Sequence, residues 1–248
     1  MIQKINERVF VIGSEGSANV VVAVQPKGVI IVDTSLFSEK AQKIRDFVEN
    51  VLKREIQFLV NTHYHPDHTF GNIVFENKSI ISSSLTREKI MLMDEHYLEN
   101  LPASGKLVPA TATFEDEYRE GQVFIKRMGG HTPDSSIVLL EQERVLIAGD
   151  LVFNDFHAEI VSDSDLDAWL SALESLRKYR VDWVVPGHGN FADKGCLDSM
   201  IRYLKKIQRL VDGTITYAEI LSDENFSKRG FPELFSWGLE NLVAQRAK

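Results

Sequence analysis

The stretch of residues 61–72, Asn-Thr-His-Tyr-His-Pro-Asp-His-Thr-Phe-Gly-Asn, constrains this chain more than any other part of it. His63 and His65 stand two positions apart, a spacing that points both side chains to one side of an extended segment but splays them on a helix. The Pro-Asp pair that follows is favoured in the first turn of a helix, so the chain is predicted to turn into a helix here. Asp67 and His68 would then point away from the first two histidines.

A loop that presents two imidazoles in one direction, and a carboxylate with an imidazole in another, can begin two adjacent metal sites. Neutral imidazole and carboxylate are both good ligands for zinc. The alternative is a polar surface loop that happens to be rich in histidine. The whole chain of 248 residues holds only seven histidines, and three of them lie in this loop, so the metal-site interpretation is favoured.

Length and composition limit the possible classes of protein. A chain of 248 residues with 44% hydrophobic content can form one large α/β domain or two small ones. The net charge of -8 and the lack of a Lys/Arg cluster give no electrostatic support for binding nucleic acid or an anionic membrane. The single cysteine, Cys196, excludes an internal disulfide and fits a reducing compartment. With no apolar signal-like or membrane-spanning run, we expect a soluble, cytoplasmic monomer or homodimer that acts on a small molecule.

The pattern of apolar residues predicts alternating strands and helices. Runs rich in Val and Ile predict strands at residues 9–12, 18–24, 29–32, 56–60, 79–83, 123–128, 137–140, 145–148 and 183–185. Apolar residues spaced three and four apart predict helices at 38–53, 85–97, 165–179 and 197–211. Periodicity is lost over residues 98–114, which we interpret as a lid or an ordered surface excursion.

The two halves of the chain share an order of motifs. In each half, strands rich in Val and Ile lead to an aspartate, Asp33 in the first and Asp150 in the second. A helix and a further strand follow, and that strand ends at a histidine site, His63 or His188. This repetition predicts two related β-rich halves packed together, with the functional site between them.

Three more candidate ligands lie at predicted strand ends. His131 follows two glycines, which let the backbone approach closely, and it stands just before a strand. Asp150 ends the strand of residues 145–149, where a buried carboxylate without a partner would be costly. His188 lies in a Pro-Gly-His-Gly turn directly after a strand. The shared placement of all three favours a common metal centre over separate structural roles.

The ordered set of these residues resembles the five motifs of the metallo-β-lactamase fold superfamily, over roughly residues 8–190. The set comprises Asp33, His63, His65, Asp67, His68, His131, Asp150 and His188. The resemblance implies an α/β fold, a four-layer αββα sandwich of two mixed β-sheets flanked by helices, with metals at one edge of the sheets.

The resemblance also implies roles for these residues and a cofactor of two zinc ions, with iron or manganese as alternatives. The ligands of the first zinc would be His63, His65 and His131. The ligands of the second zinc would be Asp67, His68 and His188. Asp150 would bridge the two metals, and Asp33 would support the ligand loop from behind. His65 stands where flavodiiron oxidoreductases of this fold carry Glu, so a zinc hydrolase is favoured over an iron redox protein.

The chemistry implied is hydrolysis by metal-bound hydroxide. Asp67 would be both a ligand and the catalytic residue that orients the hydroxide or receives its proton. Residues 131–136 are similar to the corresponding stretch of β-lactamases, but Asp150 takes the place of a zinc-binding Cys of those enzymes. An aspartate bridge resembles that of glyoxalase II and the acyl-homoserine lactonases, although residues 151–157 lack the Gly/Arg/Phe-rich motif of glyoxalase II.

We therefore predict a dinuclear zinc hydrolase acting on a small ester, thioester or lactone. A β-lactamase or phosphodiesterase of the same fold is the alternative enzyme, and a non-catalytic metal-dependent binding protein is the alternative of a different class. Residues 1–212 are predicted to form the catalytic domain. Residues 213–248 would be a helical tail packed on that domain or at an oligomer contact. Phe153 and His157 are candidate substrate-binding residues, with specificity also expected from residues 98–114.

Overall fold

Two β-sheets form the centre of the molecule, and each takes its strands from one half of the chain. The computed structural model describes residues 2–14, 17–94, 98–99 and 106–247. Within these ranges the first sheet has seven strands and the second has six. The structure therefore shows the two β-rich halves that the repeated order of motifs predicts.

The strands follow simple spatial orders in both sheets. The first sheet runs β1 (Ile2–Lys4), β2 (Val9–Ser14), β3 (Ser17–Gln25), β4 (Gly28–Val32), β5 (Ile56–Val60), β6 (Ile80–Ser83) and β7 (Ala112–Phe114). The second runs β13 (Ala192–Asp193), β12 (Trp183–His188), β11 (Val145–Phe153), β10 (Ser136–Leu140), β9 (Val123–Arg127) and β8 (Glu117–Glu120). Both sheets mix parallel and antiparallel neighbours.

Helices connect the strands and form the tail. They are α1 (Ser38–Asp46) with a π-helical extension (Phe47–Val51), α2 (Pro66–Thr69) with a 3-10 extension (Phe70–Phe75), α3 (Ser84–Met91), α4 (Leu166–Leu176), α5 (Gly195–Val211), α6 (Tyr217–Leu221), α7 (Glu224–Ser227) and α8 (Pro232–Arg246). Several begin at capping side chains: Ser83, Asp165 and Thr216 each accept a hydrogen bond from a backbone N–H in the first turn. Such caps satisfy donors that have no partner inside the helix.

A core of Val and Ile side chains fills the space between the two sheets. Val21 and Ile30 of the first sheet lie in one cluster with Ile125, Val138 and Ile147 of the second, and all five are buried. Burying a side chain of this size stabilises the fold by about 1.5–3 kcal/mol relative to leaving it exposed. This cluster joins the two halves into one unit.

The outer faces of both sheets are covered by helices. Neighbouring residues of a strand point to opposite faces, so Val20 and Val22 pack outward with Ala41 and Ile44 of α1. On the other side, the second sheet packs against α4 and α5 through buried residues that include Trp169, Leu173, Leu176, Leu197, Met200 and Leu204. The order of layers is helix, sheet, sheet, helix, which confirms the predicted four-layer α/β sandwich.

The two halves repeat the same strand connections. In the first half β2, β3 and β4 pair antiparallel, α1 follows, and β5 then pairs parallel to β4. In the second half β9, β10 and β11 pair antiparallel, α4 follows, and β12 pairs parallel to β11. Because parallel strands have their carboxyl ends at the same edge of a sheet, the residues that follow β4 and β5, and those that end β11 and β12, lie close together.

Some predicted elements differ from those observed. The helix predicted at 85–97 ends at Met91, and residues 95–97 lie outside the described part of the chain. The irregular stretch 98–114 contributes β7 to the edge of the first sheet, while its residues 100–105 also lie outside the described part. The strands β1, β8 and β13 were not predicted, because they are short and many of their residues are exposed, charged or both.

Candidate metal centre

The candidate ligands meet where strands from both sheets end. Asp33 follows β4, and the loop of residues 61–68 follows β5. His188 is the last residue of β12, and His131 precedes β10. Asp150 lies within β11 where the pairing with β12 shifts register. Irregular pairing of this kind re-aims a side chain, and here it directs the carboxylate toward the histidines.

A first cluster contains three histidines and one aspartate, all buried: His63, His65, His131 and Asp150. Their potential ligand atoms all lie within 4.8 Å of one another. Oδ2 of Asp150 is 3.5 Å from Nε2 of His131 and 3.8 Å from Nε2 of His63. A tetrahedral zinc with bonds of about 2.0–2.2 Å holds its ligand atoms somewhat over 3 Å apart, so these separations suit one small cation.

A second cluster contains Asp67, His68 and His188. Oδ2 of Asp67 lies 3.1 Å from Nε2 of His188 and 3.6 Å from Nε2 of His68. The side chain of His68 is fully buried, whereas those of Asp67 and His188 are 21% and 23% exposed. This cluster therefore forms the side of the centre that a substrate can reach.

Asp150 contacts both clusters. Its Oδ1 is 3.1 Å from Nε2 of His68, and its Oδ2 is 3.6 Å from Nε2 of His188. The backbone around it leaves no spare room, because a Cβ atom on Gly187 would lie 1.7 Å from Oδ1 of Asp150. A glycine at position 187 is thus a condition for placing this carboxylate between the clusters.

Asp33 fixes the ring of His68 from behind. The Asp33 carboxylate accepts hydrogen bonds of 2.8 Å from the backbone N–H and from the hydroxyl group of Thr62. Its Oδ2 also lies 2.8 Å from Nδ1 of His68, which directs Nε2 of that ring into the centre. A buried carboxylate on the far nitrogen of a metal-binding imidazole orients the ring and raises its basicity.

The imidazoles of the first cluster are held neutral. Burial lowers the pKa of His63, His65 and His131, in the last case to about 3, because the charged ring loses its hydration. Neighbouring imidazoles lower the pKa of His63 and His131 further. Neutral imidazole is the form that binds metals, so this cluster is in the ligating state at neutral pH.

The second cluster has the opposite electrostatic character. Burial alone would lower the pKa of His68 and His188, but the surrounding carboxylates outweigh it. Asp67, Asp150 and Asp33 hold the pKa of His68 well above its usual value, and Asp150 with Asp67 raises the pKa of His188 to about 10. The negative charge of the carboxylates thus stabilises positive charge at this cluster, either as protonated imidazoles or as a bound metal cation.

Several buried polar atoms of the centre fit a metal better than any protein partner. Nε2 of His63, Nε2 of His68 and both carboxylate oxygens of Asp150 make no well-aligned hydrogen bond among the residues that the structure describes, although Nε2 of His68 and Oδ1 of Asp150 are only 3.1 Å apart. Buried polar groups without partners are costly, and they are rare in folded proteins. Imidazole nitrogens and carboxylate oxygens converging in this way make a donor set suited to zinc and similar divalent cations.

A large cavity opens onto the second cluster. Its volume is about 1440 Å³, and its lining includes His65, Asp67, His188 and Phe153. The Phe153 ring stacks on the His188 ring, with centroids 5.4 Å apart and planes 6° from parallel. The structure thus places Phe153, a predicted substrate-binding residue, in the cavity wall beside the metal centre.

The cavity also contains groups that the sequence did not reveal. Glu159 lines it, and burial together with the nearby Asp67 and Asp150 raises the pKa of Glu159 to about 7. Lys89 lines it as well, with its ammonium group 2.8 Å from Asp163 and over the ring of Tyr64. Neither residue belongs to a recognisable motif, so only the folded arrangement identifies them.

His157 requires a correction, because the structure places it away from the cavity. Its side chain is 3% exposed and lies among Tyr203, Phe226 and Phe235, beneath the tail. Nδ1 of His157 is 3.0 Å from the hydroxyl oxygen of Tyr203. The ring is therefore part of the contact between the tail and the rest of the chain, and it is not positioned to touch a substrate.

The expected role of residues 98–114 in specificity needs revision for residues 98–99 and 106–114, while residues 100–105 lie outside the described part of the chain. None of the described residues in that range lines the cavity, and Val108 and Ala110 instead pack against the first sheet. The cavity wall is formed by residues 92–94 and by Phe231, Leu234, Trp237 and Asn241 of the tail. Those tail residues are spaced three or four apart, a signal of one helix face, but the sequence does not show what that face covers.

A family model described as the metallo-beta-lactamase superfamily matches residues 13–188, a range that includes every candidate ligand. The protein belongs to this superfamily. Its membership, together with the two clusters of ligand-type residues, makes the protein a metal-dependent hydrolase. The match ends at His188, so the superfamily model does not include helices α5 to α8.

Curated relatives agree with this assignment. The metallo-beta-lactamase type 2 of Bacillus sp. (strain 170) is 28% identical over 188 residues, covering 72% of this chain and 69% of the relative. The enzyme of the same name from Bacillus cereus is 27% identical over 186 residues, covering 72% and 70%. A linear primary-alkylsulfatase from Pseudomonas sp. (strain ATCC 19151) is 22% identical over 213 residues, covering 66% of this chain and 40% of the relative.

Solved structures of the superfamily share the fold. The DIM-1 metallo-beta-lactamase superposes with a TM-score of 0.70 at 24% identity, covering 83% of this chain and 97% of that structure. A metallo-beta-lactamase from Pontibacter korlensis gives a TM-score of 0.67 at 23% identity, covering 83% and 98%. Among the described residues of this superfamily member, we find no helix whose length and apolar content would let it cross a lipid bilayer.

Proposed function

We propose that the protein is a dinuclear zinc hydrolase that cleaves a small ester, thioester or lactone. The observation that carries this proposal is the position of Asp150, whose two oxygens lie 3.1 Å from His68 and 3.5 Å from His131. A single carboxylate that touches both clusters can hold two cations side by side. Its resemblance to the aspartate bridge of glyoxalase II and the lactonases favours carbonyl substrates.

The residues of the two clusters would hold the metals. The first zinc would be held by His63, His65 and His131, the second by Asp67, His68 and His188, and Asp150 would be shared between them. Zinc bound at these clusters would lower the pKa of a water molecule to about 7 and polarise a carbonyl oxygen of the substrate. The buried histidines and Asp33 would keep the ligand geometry fixed during turnover.

The surroundings of Asp67 support its proposed role as the catalytic carboxylate. Burial would raise its pKa, but His68 and His188 outweigh that effect and hold the pKa well below the usual value. The carboxylate is therefore ionised at neutral pH, and its side chain is exposed on the cavity side. In this state Asp67 can accept a hydrogen bond from the attacking water and orient it toward the substrate.

A comparison of substrate classes tests this proposal. We would measure kcat/KM for a thioester, a lactone, a β-lactam and a phosphodiester with one zinc-loaded sample of the unaltered protein. Asp150→Ala, which is expected to lose zinc, is the inactive control. The thioester or the lactone is expected to give the highest value. A phosphodiester preferred by tenfold or more would contradict the proposed acyl hydrolysis.

A β-lactamase is the second candidate function. It is favoured by the curated relatives named metallo-beta-lactamase type 2 and by the similarity of residues 131–136 to the corresponding β-lactamase stretch. A β-lactam preferred over both carbonyl esters in the same comparison would select this candidate. If no substrate of any class were hydrolysed at full zinc occupancy, a non-catalytic metal-dependent binding protein would replace both.

A further inference from the structure

The tail forms one wall of the cavity that opens onto the metal centre. Phe231, Leu234 and Trp237 line it from the start of helix α8. Leu234 and Trp237 are three positions apart and project from one side of the helix, and Phe231 immediately precedes its first residue. Phe231 is 48% exposed and Trp237 is 42% exposed, although large aromatic side chains usually gain stability from burial. The helix thus leaves apolar surface uncovered inside a cavity.

Other parts of the cavity lining are apolar as well. Leu92 and Met93 follow helix α3, and Phe156 and Val161 come from the segment after β11. The volume of about 1440 Å³ exceeds the roughly 300–1,000 Å³ typical of pockets for drug-sized ligands. The space is larger than an ester or lactone group needs, and its extra part is lined mainly by hydrocarbon and aromatic side chains.

Two separate aromatic contacts lie in the lining of the cavity. Phe153 stacks on His188, and three residues further along the chain the Phe156 ring lies 5.0 Å from the Phe231 ring. A substrate whose reacting group lies at His188 would therefore have the Phe153 ring beside it, with Phe156 and Phe231 in the lining of the same cavity.

The wall is held firmly in place. The N–H of Gly230 donates to the carbonyl of Asp155 at 2.8 Å, and the N–H of His157 donates to the carbonyl of Gly230 at 3.0 Å. The side-chain amide of Asn241 donates to the carbonyl of Ile160 at 2.8 Å. A binding surface that is ordered before the ligand arrives does not lose further conformational entropy on binding.

We propose that Phe231, Leu234 and Trp237 bind a linear apolar chain of the substrate and determine which chain lengths are accepted. This inference rests on the proposed function in one respect, which is that the cleaved bond of the substrate lies at the metal centre. The chain could belong to the acyl part or to the leaving alcohol of an ester. Burial of each additional methylene group is expected to raise the binding constant roughly fourfold until the wall is covered.

Binding of straight-chain alcohols tests the wall without any hydrolysis. Hexanol, octanol and decanol would be titrated into the zinc-loaded protein while tryptophan fluorescence is recorded. Trp237 lines the cavity, Trp183 is 38% exposed and lies outside the cavity lining, and Trp169 is buried. The fluorescence change is expected to persist in Trp183→Phe and to disappear in Trp237→Phe, with affinity rising from hexanol to decanol.

Three matched variants test the assignment of residues by calorimetry of alcohol binding. Trp237→Gln and Leu234→Gln are expected to weaken decanol binding by about tenfold, the loss of contact with roughly two methylene groups. Val243→Gln is the control, because Val243 is on the same helix, is 61% exposed and does not line the cavity. Equal decanol affinity in all three variants, or no binding to the unaltered protein, would overturn the proposal.

Kinetics with two ester series distinguish the source of the chain. One series lengthens the acyl part from acetyl to decanoyl, and the other lengthens the alcohol of an acetate ester. The ratio of kcat/KM for long and short members is expected to fall about tenfold in Trp237→Gln for one series, and to stay unchanged in Val243→Gln. If neither series is hydrolysed but the variants still weaken decanol binding, the proposed function fails and the apolar wall stands. If esters are hydrolysed with the same ratio in both variants, the wall fails and the proposed function stands.

Discussion

The guanidinium group of Arg229 donates a hydrogen bond to the backbone carbonyl of Phe156 at 2.7 Å, across 73 residues of sequence. It donates a second one to the carbonyl of Phe153 at 3.2 Å, and it stacks over the ring of Tyr203. Arg229 therefore ties the tail to the segment that follows Asp150. Phe153 also stacks on His188, so the residue that Arg229 holds by its carbonyl contacts the second cluster through its ring.

Replacing Arg229 by Met tests this link. The substitution keeps an apolar stem but leaves the carbonyls of Phe153 and Phe156 without their donor, which costs about 1–3 kcal/mol. We expect the melting temperature to fall by several degrees, with a lower kcat/KM because Phe153 is less well held. Lys228→Met is the control, since its ion pair with Glu224 is exposed and contributes at most about 1 kcal/mol. Equal effects of the two substitutions would show that Arg229 acts only as a surface charge.

Asp33→Asn should weaken the second metal site while preserving the fold. An amide cannot give His68 the negative partner that orients its ring and raises its basicity. We expect the affinity of the weaker of the two zinc ions to fall by about 10–100-fold in a titration against a competing chelator. Asp116→Asn is a matched control, because Asp116 is 82% exposed and pairs with Arg127. Unchanged zinc affinity in Asp33→Asn would contradict the role assigned to Asp33.

Asp150→Ala removes the carboxylate that contacts both clusters. The remaining ligands carry less negative charge to offset two cations, so bound zinc should fall from two ions toward one per chain. Hydrolysis should fall by orders of magnitude, while circular dichroism stays close to that of the unaltered protein. His157→Gln should retain both zinc ions, since His157 lies under the tail. Normal zinc content and rate in Asp150→Ala would rule out a bridging role.

The contact between His157 and Tyr203 makes stability depend on pH. Tyr203 accepts a hydrogen bond from the N–H of Ala158, so its own hydroxyl proton points to Nδ1 of a neutral His157. Burial, with the nearby Arg229, lowers the pKa of His157 to about 4 from its usual 6.5. Between pH 4 and pH 6.5, His157 is therefore protonated more readily in the unfolded chain than in the folded protein. Above pH 6.5 the neutral His157 ring makes its full contribution to the free energy of unfolding. This contribution is lost as the pH falls toward 4.

Denaturant unfolding of the zinc-loaded protein at several pH values checks this expectation. Relative to His157→Gln, the unaltered protein should lose up to about 3 kcal/mol of unfolding free energy between pH 6.5 and pH 4. The comparison cancels the titration of the metal centre, which both proteins share. Parallel curves for the two proteins would show that His157 is not held neutral by the fold.

The residues of the candidate site could be predicted from the sequence, because each stands beside a short and recognisable sequence pattern. Asp33, Asp150 and His188 each stand at or near the end of a strongly apolar run, and the loop of residues 61–68 follows another. Continuous runs rich in Val and Ile mark the buried strands of this chain, so the strand ends could be located from the sequence. Parallel pairing of β4 with β5 and of β11 with β12 then brings these ends to one edge.

The cavity could not be anticipated, because its walls depend on contacts between distant parts of the chain. His157 is only seven residues from Asp150 in sequence, but the chain turns at Asp155, which has a φ of 67°. The His157 ring then packs against residues more than 40 positions away, including Tyr203. The apolar spacing of Phe231, Leu234 and Trp237 predicts a helix face, and nothing local identifies the surface it lines.

Weak strands were missed for a different reason. β8 has the sequence Glu-Tyr-Arg-Glu, which carries no apolar alternation and reads as a solvent-exposed segment. It forms nevertheless because β9 offers a free edge, and residues 117–120 pair antiparallel with residues 123–126 across a short turn. Pairing with an existing sheet can thus override a sequence that has little strand preference of its own.

Zinc titration of the metal-free protein, followed by calorimetry and by hydrolysis of a thioester in the same samples, tests the central claim most directly. Seven ligand-type residues lie in two clusters that share Asp150, more than one tetrahedral zinc can use. We expect two zinc ions to bind per chain, with full hydrolytic rate reached only as the second site fills. Full activity with one zinc ion per chain, or binding of one ion or none at saturating zinc, would contradict a dinuclear centre.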